Sequence, residues 1–227
     1  MSFRYQLVYN RCRNGVEGCY SAERLEVVDI GGDCSRLLYR KFGGDTGCIR
    51  VRGAKTMKII LNAGHTASGS GSGAVGFISE SEETRKVVNA VKRYLTGKGH
   101  DVVVANVDRA GSQYEYLREV VRIANKHIDA DLFLSVHFNA GGGQGCECYT
   151  YKGKKTPQAE GICAELNKHG FRNRGVKDGS PLYVISKTKM PAILAEVCFV
   201  DNIKDARKYE EVGVNRIAQA ITRGILR

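Results

Sequence analysis

The chain has no tryptophan, only three prolines and only three methionines among its 227 residues. It also has no stretch approaching the roughly 18 consecutive apolar residues that a membrane span requires. The first residues, from Met1 to Tyr5, lack the basic stretch and the apolar run of a secretory signal. The sequence therefore predicts no membrane-spanning segment, and we expect synthesis in the cytoplasm without a signal peptide.

Cysteine and positive charge are plentiful by contrast. Because no secretory signal is seen, we expect the eight cysteines to be reduced thiols rather than disulfides. The chain has 35 Lys and Arg against 24 Asp and Glu, a formal net charge of +11. Such a surface favours polyanionic partners. No cluster of basic residues interleaved with aromatic ones is present, which argues against nucleic acid as the partner.

From Met57 onward, strand-like and helix-like segments alternate. The predicted strands are Lys58–Leu61, Val102–Val107, Leu132–Phe138, Cys146–Tyr151, Leu182–Ile185 and Ile193–Val200. The predicted helices are Glu82–Thr96, Tyr114–Ile128, Pro157–Lys168, Asp205–Tyr209 and Val214–Leu226. This alternation predicts an α/β fold, with a mixed, largely parallel six-stranded sheet flanked by helices. Reactive groups in such folds lie just past the carboxyl ends of the strands.

Residues 1–56 do not continue this alternation. Their apolar segments are short and are separated by glycine pairs, which predicts a small β-rich segment. These segments are Tyr5–Tyr9, Leu25–Ile30, Leu37–Tyr39 and Ile49–Val51. We therefore expect two parts, an N-terminal segment of unassigned role at 1–56 and a larger domain at 57–227.

Three residues of the larger part stand out as candidates for chemistry. His65 closely follows the first predicted strand, and His137 ends the third. A histidine at a strand end is usually a structural group, but two in equivalent places favour a metal site. Glu196 lies within an apolar run, where a buried charge needs a partner, unless it faces solvent on an edge strand. Two imidazoles and a carboxylate are the usual ligands of a hydrolytic zinc ion, and a further carboxylate can serve as base.

Four segments, in order along the chain, resemble one family. They are Lys58–His65, Leu117–Asn125, Ala130–Ala140 and Pro191–Asn202. Together they resemble the zinc-dependent N-acetylmuramoyl-L-alanine amidases of the type 3 group, which includes phage endolysins and sporulation autolysins of Gram-positive hosts. The resemblance covers essentially all of residues 57–227 and does not extend to residues 1–56.

The resemblance implies that His65 and His137 ligate one zinc ion per chain and that Glu196 is the catalytic carboxylate. It implies a further ligand, a glutamate at the start of the first helix, to be chosen among Glu80, Glu82 and Glu83. Counting back from the Lys-Gly-His turn that follows this helix favours Glu80.

The start of this helix has its own sequence signals. Ser79 and Glu82 would form a capping box, which would place Glu80 in the first turn. The chain departs from the family at Thr66 and Ala67, where a glycine pair is common, and at Thr84, where asparagine is common. None of these departures falls on a proposed ligand.

The implied activity is hydrolysis, by a zinc-activated water, of the amide between N-acetylmuramic acid and L-alanine in peptidoglycan. The implied partner is the wall of a Gram-positive cell, reached after release by a holin or by cell lysis, and the basic surface suits its anionic polymers. Two alternatives stay open. One is a zinc peptidase that cuts within the stem peptide. The other is a non-catalytic module that binds the cell wall with an amidase-like fold.

Two other features have simpler interpretations. Cys146 and Cys148 form a Cys-x-Cys pair that alternates as strand residues do, which favours core packing over metal binding. The Ser/Gly-rich stretch Ser68–Gly76 has the composition of a linker. Because a boundary there would separate the first strand from its sheet, we expect a loop beside the site instead.

Overall fold

The computed structural model describes residues 56–227 in full and, before them, the backbone of three strands. The chain divides into two compact units, Met1–Lys55 and Thr56–Arg227. In the first unit the strands pair antiparallel in the order β1-β2-β3, which agrees with the β-rich segment expected there. They are β1 (Glu26–Asp29), β2 (Leu37–Arg40) and β3 (Thr46–Ile49). The predicted strand Tyr5–Tyr9 lies outside the described residues.

The second unit is built on a six-stranded sheet. Its strands are β4 (Lys58–Ala63), β5 (Asp101–Val104), β6 (Leu132–Asn139), β7 (Cys146–Thr150), β8 (Asn173–Asp178) and β9 (Ala192–Phe199). The order across the sheet is β5-β4-β6-β9-β7-β8. All neighbouring pairs are parallel except β7 with β9. The sheet is therefore mixed and largely parallel, as predicted.

Helices cover both faces of this sheet. They are α1 (Glu80–Thr96), α2 (Gln113–Ala124), α3 (Pro157–Asn167), α4 (Tyr183–Lys187), α5 (Ile203–Val212) and α6 (Val214–Ile225), with a single 3-10 turn at Tyr151–Gly153. The larger apolar core lies between the sheet and α1, α3, α5 and α6. A smaller core lies on the opposite face, under α2 and α4. Among the described residues, no helix combines the length and the apolar character needed to cross a bilayer.

Burial explains why these segments form. Ile59, Ile60 and Leu61 are fully buried because the central parallel strands are covered on both faces. Each such side chain contributes about 1.5–3 kcal/mol when it leaves water. The helices begin at capping residues: the side chain of Ser112 accepts from the first turn of α2, and Thr156 does the same for α3. Cys146 and Cys148 are likewise buried in the larger core, with free thiols.

Two details of the predicted secondary structure are wrong. Leu182–Ile185 is not a strand, because α4 begins at Tyr183. Its Val184 and Ile185 are buried in the smaller core, so the apolar run reflects packing rather than strand geometry. The sixth strand is instead β8, a polar segment at the edge of the sheet. An edge strand buries little, which removes the alternating pattern that would have revealed it.

Candidate metal centre

Three predicted residues meet at the carboxyl ends of two neighbouring parallel strands. His65 follows β4, His137 lies near the end of β6, and Glu80 is the first residue of α1. The Oε2 atom of Glu80 lies 3.1 Å from Nε2 of His65, and its Oε1 atom lies 3.1 Å from Nδ1 of His137. One ligand atom from each residue lies within 4.8 Å of the other two. Among the described residues, this is the group of side chains that could hold a metal ion.

The carboxylate of Glu80 is buried, with 3% of the residue exposed. Besides the two histidines it accepts hydrogen bonds from the backbone N–H groups of Ala74 and Phe138, at 3.0 and 3.1 Å. Burial acts to raise the pKa of Glu80, but the contacts with the rings of His137 and His65 hold it well below its ordinary value. The side chain of Glu80 is therefore an ionised carboxylate, which can bind a cation.

The other two candidate glutamates lie elsewhere. Glu82 is exposed. Glu83 accepts a hydrogen bond from the hydroxyl of Tyr209 at 2.7 Å and pairs with Lys86. The predicted capping box is wrong, because the side chain of Ser79 makes no capping hydrogen bond and the first turn of α1 is instead anchored by Glu80 itself. Glu80 thus reaches the histidines without the helix cap that the sequence suggested.

His65 has an unusual backbone conformation, with φ at 69°. Such a left-handed conformation is strained for a residue with a side chain. Two hydrogen bonds fix it: His65 Nδ1 lies 3.0 Å from the carbonyl oxygen of Gly71, and Arg85 Nη2 donates to the carbonyl of His65 at 3.1 Å. The loop after β4 therefore aims the imidazole, as expected for a loop beside the site.

The hydrogen bonds of His137 define which ring nitrogen carries its proton. Asn62 donates through Nδ2 to the carbonyl of Ala105, so its Oδ1 atom faces Ser135. The single proton of Ser135 Oγ is donated to that oxygen at 2.7 Å, and Ser135 Oγ must then accept from Nε2 of His137 at 3.0 Å. In the neutral imidazole, Nδ1 is left with its lone pair directed at Glu80.

The hydrogen bonds of His65 likewise define which of its ring nitrogens carries the proton. A carbonyl can only accept, so Nδ1 of His65 donates to Gly71, and in the neutral imidazole Nε2 keeps its lone pair toward Glu80. Burial lowers the pKa of His137, which favours its neutral form. Burial also acts to lower the pKa of His65, but Glu80 outweighs it and raises the net value. With both imidazoles neutral, two lone pairs and a carboxylate converge, so a proton or a metal ion must lie between them.

Two glycines keep the space around this cluster open. A Cβ atom on Gly64 would lie 2.4 Å from the ring of His137. A Cβ on Gly73 would lie 2.7 Å from Oε2 of Glu80 and 2.8 Å from the ring of His65, and Gly73 has a φ of +78°. Both contacts are far below van der Waals distance. The donor set, its geometry and these two positions fit a bound divalent metal ion.

Glu196 lies one strand away from His137. The two residues are register partners on β9 and β6. The Oε2 atom of Glu196 is buried and, among the described residues, is the one buried side-chain polar atom without a hydrogen-bond partner. Burial, together with the negative charges of Glu80 and Glu147, raises the pKa of Glu196 well above its ordinary value. An unpartnered carboxyl beside a metal cluster is a candidate for proton transfer.

A group of polar residues beside Glu196 was not predicted from the sequence. Glu147 on β7 is the register partner of Glu196 and is buried. It binds both Arg174 and Lys177 of the unpredicted strand β8. A glutamate in an otherwise apolar strand was the signal that drew attention to Glu196, and it applied equally to Glu147 between its two cysteines.

Comparison with known proteins agrees with this geometry. The family model for N-acetylmuramoyl-L-alanine amidase matches residues 59–227, and the chain belongs to that family. It is 36% identical over 172 residues to the N-acetylmuramoyl-L-alanine amidase CwlM of Bacillus licheniformis, covering 74% of this chain and 65% of that protein. It is 35% identical over 178 residues to the endolysin of Bacillus phage SPP1, covering 74% of this chain and 64% of that protein.

Solved structures give the same assignment of the fold. The catalytic domain of the CD27L endolysin targeting Clostridia Difficile superposes with a TM-score of 0.70 at 30% sequence identity. That match covers 75% of this chain and 97% of the other. The chain spans about half to two thirds of the length of the curated relatives it matches.

Proposed function

We propose that residues 57–227 hydrolyse the amide between N-acetylmuramic acid and L-alanine in peptidoglycan, with one zinc ion held by His65, Glu80 and His137. The observation that carries this proposal is the convergence of two imidazole nitrogens and a buried carboxylate at the strand ends of an amidase-family domain. Zinc is the metal that such a set of nitrogen and oxygen ligands suits. When bound, it would supply a Lewis acid that activates water and polarises the scissile carbonyl.

The protein's own residues have separate tasks in this proposal. Ser135, itself held by Asn62, orients the ring of His137 through its distal nitrogen. Glu196 accepts a proton from the attacking water and returns it to the alanine nitrogen as the amide breaks. Its buried, unpartnered oxygen supports this role, since no protein group competes for it within the described residues.

The proposed setting is the wall of a Gram-positive cell, in keeping with the named relatives from Bacillus and its phage. The excess of basic residues, 25 against 18 acidic ones in residues 57–227, would favour anionic wall polymers as a secondary contact. Residues 1–56 have no proposed part in the chemistry.

Two measurements on the full chain test the proposal. The first is metal content by mass spectrometry, expected to give one zinc per chain in the wild type and none in His65→Ala or His137→Ala. The second is product analysis of digested peptidoglycan, expected to give new N-terminal alanine and glycan with a free lactyl group. Cleavage within the stem peptide would favour the peptidase alternative. Wall binding without any new amino groups would favour the non-catalytic module.

A truncated chain beginning at Met57 tests the domain assignment. Every proposed site residue lies in the second compact unit, so the truncated chain should fold and cleave purified peptidoglycan at close to the rate of the full chain. A soluble truncated chain without activity would show that the first unit takes part in catalysis.

A further inference from the structure

A row of polar side chains crosses the sheet from the metal cluster toward one edge. His137 on β6 is the register partner of Glu196 on β9, and Glu196 is the register partner of Glu147 on β7. Register partners on neighbouring strands project from the same face of a sheet. Strands lie about 4.8 Å apart, so Glu147 is two strands, or about 10 Å, from His137. The three residues therefore follow one line away from the proposed zinc site.

Glu147 holds two cations at the end of this row. Its Oε2 atom accepts from Nε of Arg174 and from Nζ of Lys177. Its Oε1 atom accepts from the hydroxyl of Tyr149 at 2.7 Å and from Nδ2 of Asn139 at 2.9 Å. Glu147 is 1% exposed, and four donors from three strands fix its position. The carboxylate is thus a rigid anchor for both cations.

The two cations retain donors that the protein does not use. Only Nε of Arg174 is bound to Glu147, and within residues 56–227 its two Nη atoms have no protein acceptor. Lys177 has no acceptor besides Glu147 in the same part of the chain. The side chains are 28% and 36% exposed, and the Arg174 guanidinium lies 5.0 Å from the ring centroid of Phe199, which limits its movement. Two positive charges face one negative charge, so the cluster presents a net positive charge and open N–H donors to solvent.

We propose that Arg174 and Lys177 form a subsite for a carboxylate on the peptide side of the cleaved bond, with Glu147 as the residue that positions them. This inference rests on the proposed function. The carboxyl group of muramic acid is consumed in the scissile amide, so the sugar beside that bond carries no negative charge. The peptide does carry carboxylates. A distance of about 10 Å corresponds to about three residues of extended chain, so the first carboxylates beyond the cleaved amide are within reach.

The geometry also explains why two cations share one anchor. An Arg and a Lys without Glu147 would be long and mobile, and ordering them on binding would reduce affinity. Held by a buried carboxylate, they are ordered before the substrate arrives. Arg174 can still offer the edge formed by its Nη atoms to a carboxylate, with bonds assisted by charge.

Two synthetic substrates provide the test. Both carry the same muramoyl group, the same L-alanine and an amidated peptide C-terminus, and they differ only at the second residue, which bears a free carboxylate in one and a carboxamide in the other. We expect wild-type enzyme to have a kcat/KM about 10- to 100-fold higher for the carboxylate form, the range given by charge-assisted hydrogen bonds. The difference should appear mainly in KM if the contact is made equally in the bound and transition states.

Variants of the two cations should remove this preference. In Arg174→Gln and in Arg174→Gln/Lys177→Gln, kcat/KM for the carboxylate form should fall toward that of the carboxamide form, which should change little. Arg172→Gln is the matched control, because it removes an equal charge from an exposed residue just before β8. Lysine at position 174 should restore part of the preference, since it returns the charge without the planar fork.

A loss of cations leaves Glu147 with fewer partners and could lower stability. The pair Glu147→Gln/Arg174→Gln removes one charge of each sign and keeps the cluster balanced, so it reports on recognition in a folded protein. Equal cleavage of the two substrates by the wild type, or an unchanged preference in folded Arg174 and Lys177 variants, would overturn the subsite. If the wild type cleaves neither substrate nor peptidoglycan, the proposed function itself fails.

Discussion

Two buried glutamates, in different regions of the domain, are neutralised in different ways. Glu165 on α3 is 4% exposed and binds three fixed cations, Lys168 at 2.7 Å, Arg223 at 2.9 Å and Arg227 at 2.8 Å. Glu80 on α1 is 3% exposed and faces two imidazoles and two backbone N–H groups. At Glu165 the positive charge comes from lysine and arginine side chains of the protein. At Glu80 the neighbouring imidazoles, when neutral, supply lone pairs instead.

The difference distinguishes a structural carboxylate, Glu165, from the proposed metal ligand, Glu80. Arginine and lysine are charged at all physiological pH values, so Glu165 needs nothing more to tie α3 to α6. The histidines beside Glu80 use one ring nitrogen each for Gly71 or Ser135 and turn the other inward. The charge that balances Glu80 must then come from solution, as a proton or a metal ion.

Replacing each glutamate by glutamine should give the largest difference between the two regions. Glu80→Gln removes a proposed metal ligand, so we expect loss of zinc and at least about a 10³-fold loss of activity, equivalent to roughly 4 kcal/mol of transition-state stabilisation. Glu165→Gln should keep both zinc and activity and lose about 1–2 kcal/mol of stability, because its partners are half exposed and screened. Metal content, activity and urea unfolding of the two variants measure this. Glu82→Ala serves as the control for position in α1, and a zinc-free Glu82→Ala protein would contradict the ligand assignment.

Glu196 adds a third kind of carboxyl, whose buried Oε2 atom has no hydrogen-bond partner among the described residues. Glu196→Gln keeps the shape of the side chain but removes the proton acceptor, so we expect kcat to fall by about 10²- to 10⁴-fold while zinc content and fold are retained. Steady-state kinetics together with metal analysis is the measurement. Loss of zinc in this variant would make Glu196 a ligand, and near-normal activity of the folded protein would make it structural.

Two glycines in the loop near Glu80 test whether the loop shapes the proposed metal site. Gly73 and Gly69 have nearly the same φ, +78° and +81°, but a Cβ on Gly69 would meet nothing within 4 Å. Gly73→Ala and Gly69→Ala should therefore share a strain of about 1–2 kcal/mol. Only Gly73→Ala should displace Glu80 and His65, and it should weaken zinc binding by about 10- to 100-fold, the scale of a disturbed ligand environment. Competition with a chelator measures the affinity, and equal zinc affinities in the two variants would show that the loop does not shape the site.

The smallest expected effect is one of pH at Glu165. The hydrogen bond from Lys168, together with Arg223 and Arg227, lowers the pKa of Glu165 from 4.5 to about 2. A lowered pKa means that the stabilisation is fully present above about pH 4.5 and is lost as the pH falls toward 2. The stability difference between wild type and Glu165→Gln should therefore shrink between pH 5 and pH 2.5 in denaturant unfolding. A difference that stays constant across this range would show that shape, rather than charge, makes the contribution.

The sequence indicated the central strands and the two histidines more directly than it indicated Glu80. Central strands such as β4 and β6 are apolar because both faces are covered, and that composition identified them together with the histidines at their ends. Position along the sequence could not separate Glu80 from its neighbours in the same helical turn. That choice depended on resemblance, and of the three candidate glutamates it is Glu80 that contacts the two imidazoles.

Other features had no local signal. β8 lies at the edge of the sheet and none of its residues is fully buried, so Asn173–Asp178 carries few apolar residues and was not predicted as a strand. Leu182–Ile185 had the composition of a strand but forms the start of α4, because its apolar side chains fill the smaller core. The roles of Arg174 and Lys177 depend on their contacts with Glu147, which lies 27 and 30 residues away in the sequence. Such long-range contacts cannot be predicted from local sequence.

The position of β8 at the edge of the sheet affects the association of this domain with other chains. Within residues 56–227, β8 ends the sheet, and a sheet edge without a partner strand is a template on which a second polypeptide can add a strand. Gly175, with φ at +79°, interrupts the regular strand conformation at this edge, and partly exposed Arg174 and Lys177 place charge along it. An incoming strand would meet a bent backbone and two like charges. Arg174 and Lys177, the proposed binding site for a peptide carboxylate, thus also disfavour aggregation through strand addition at this edge.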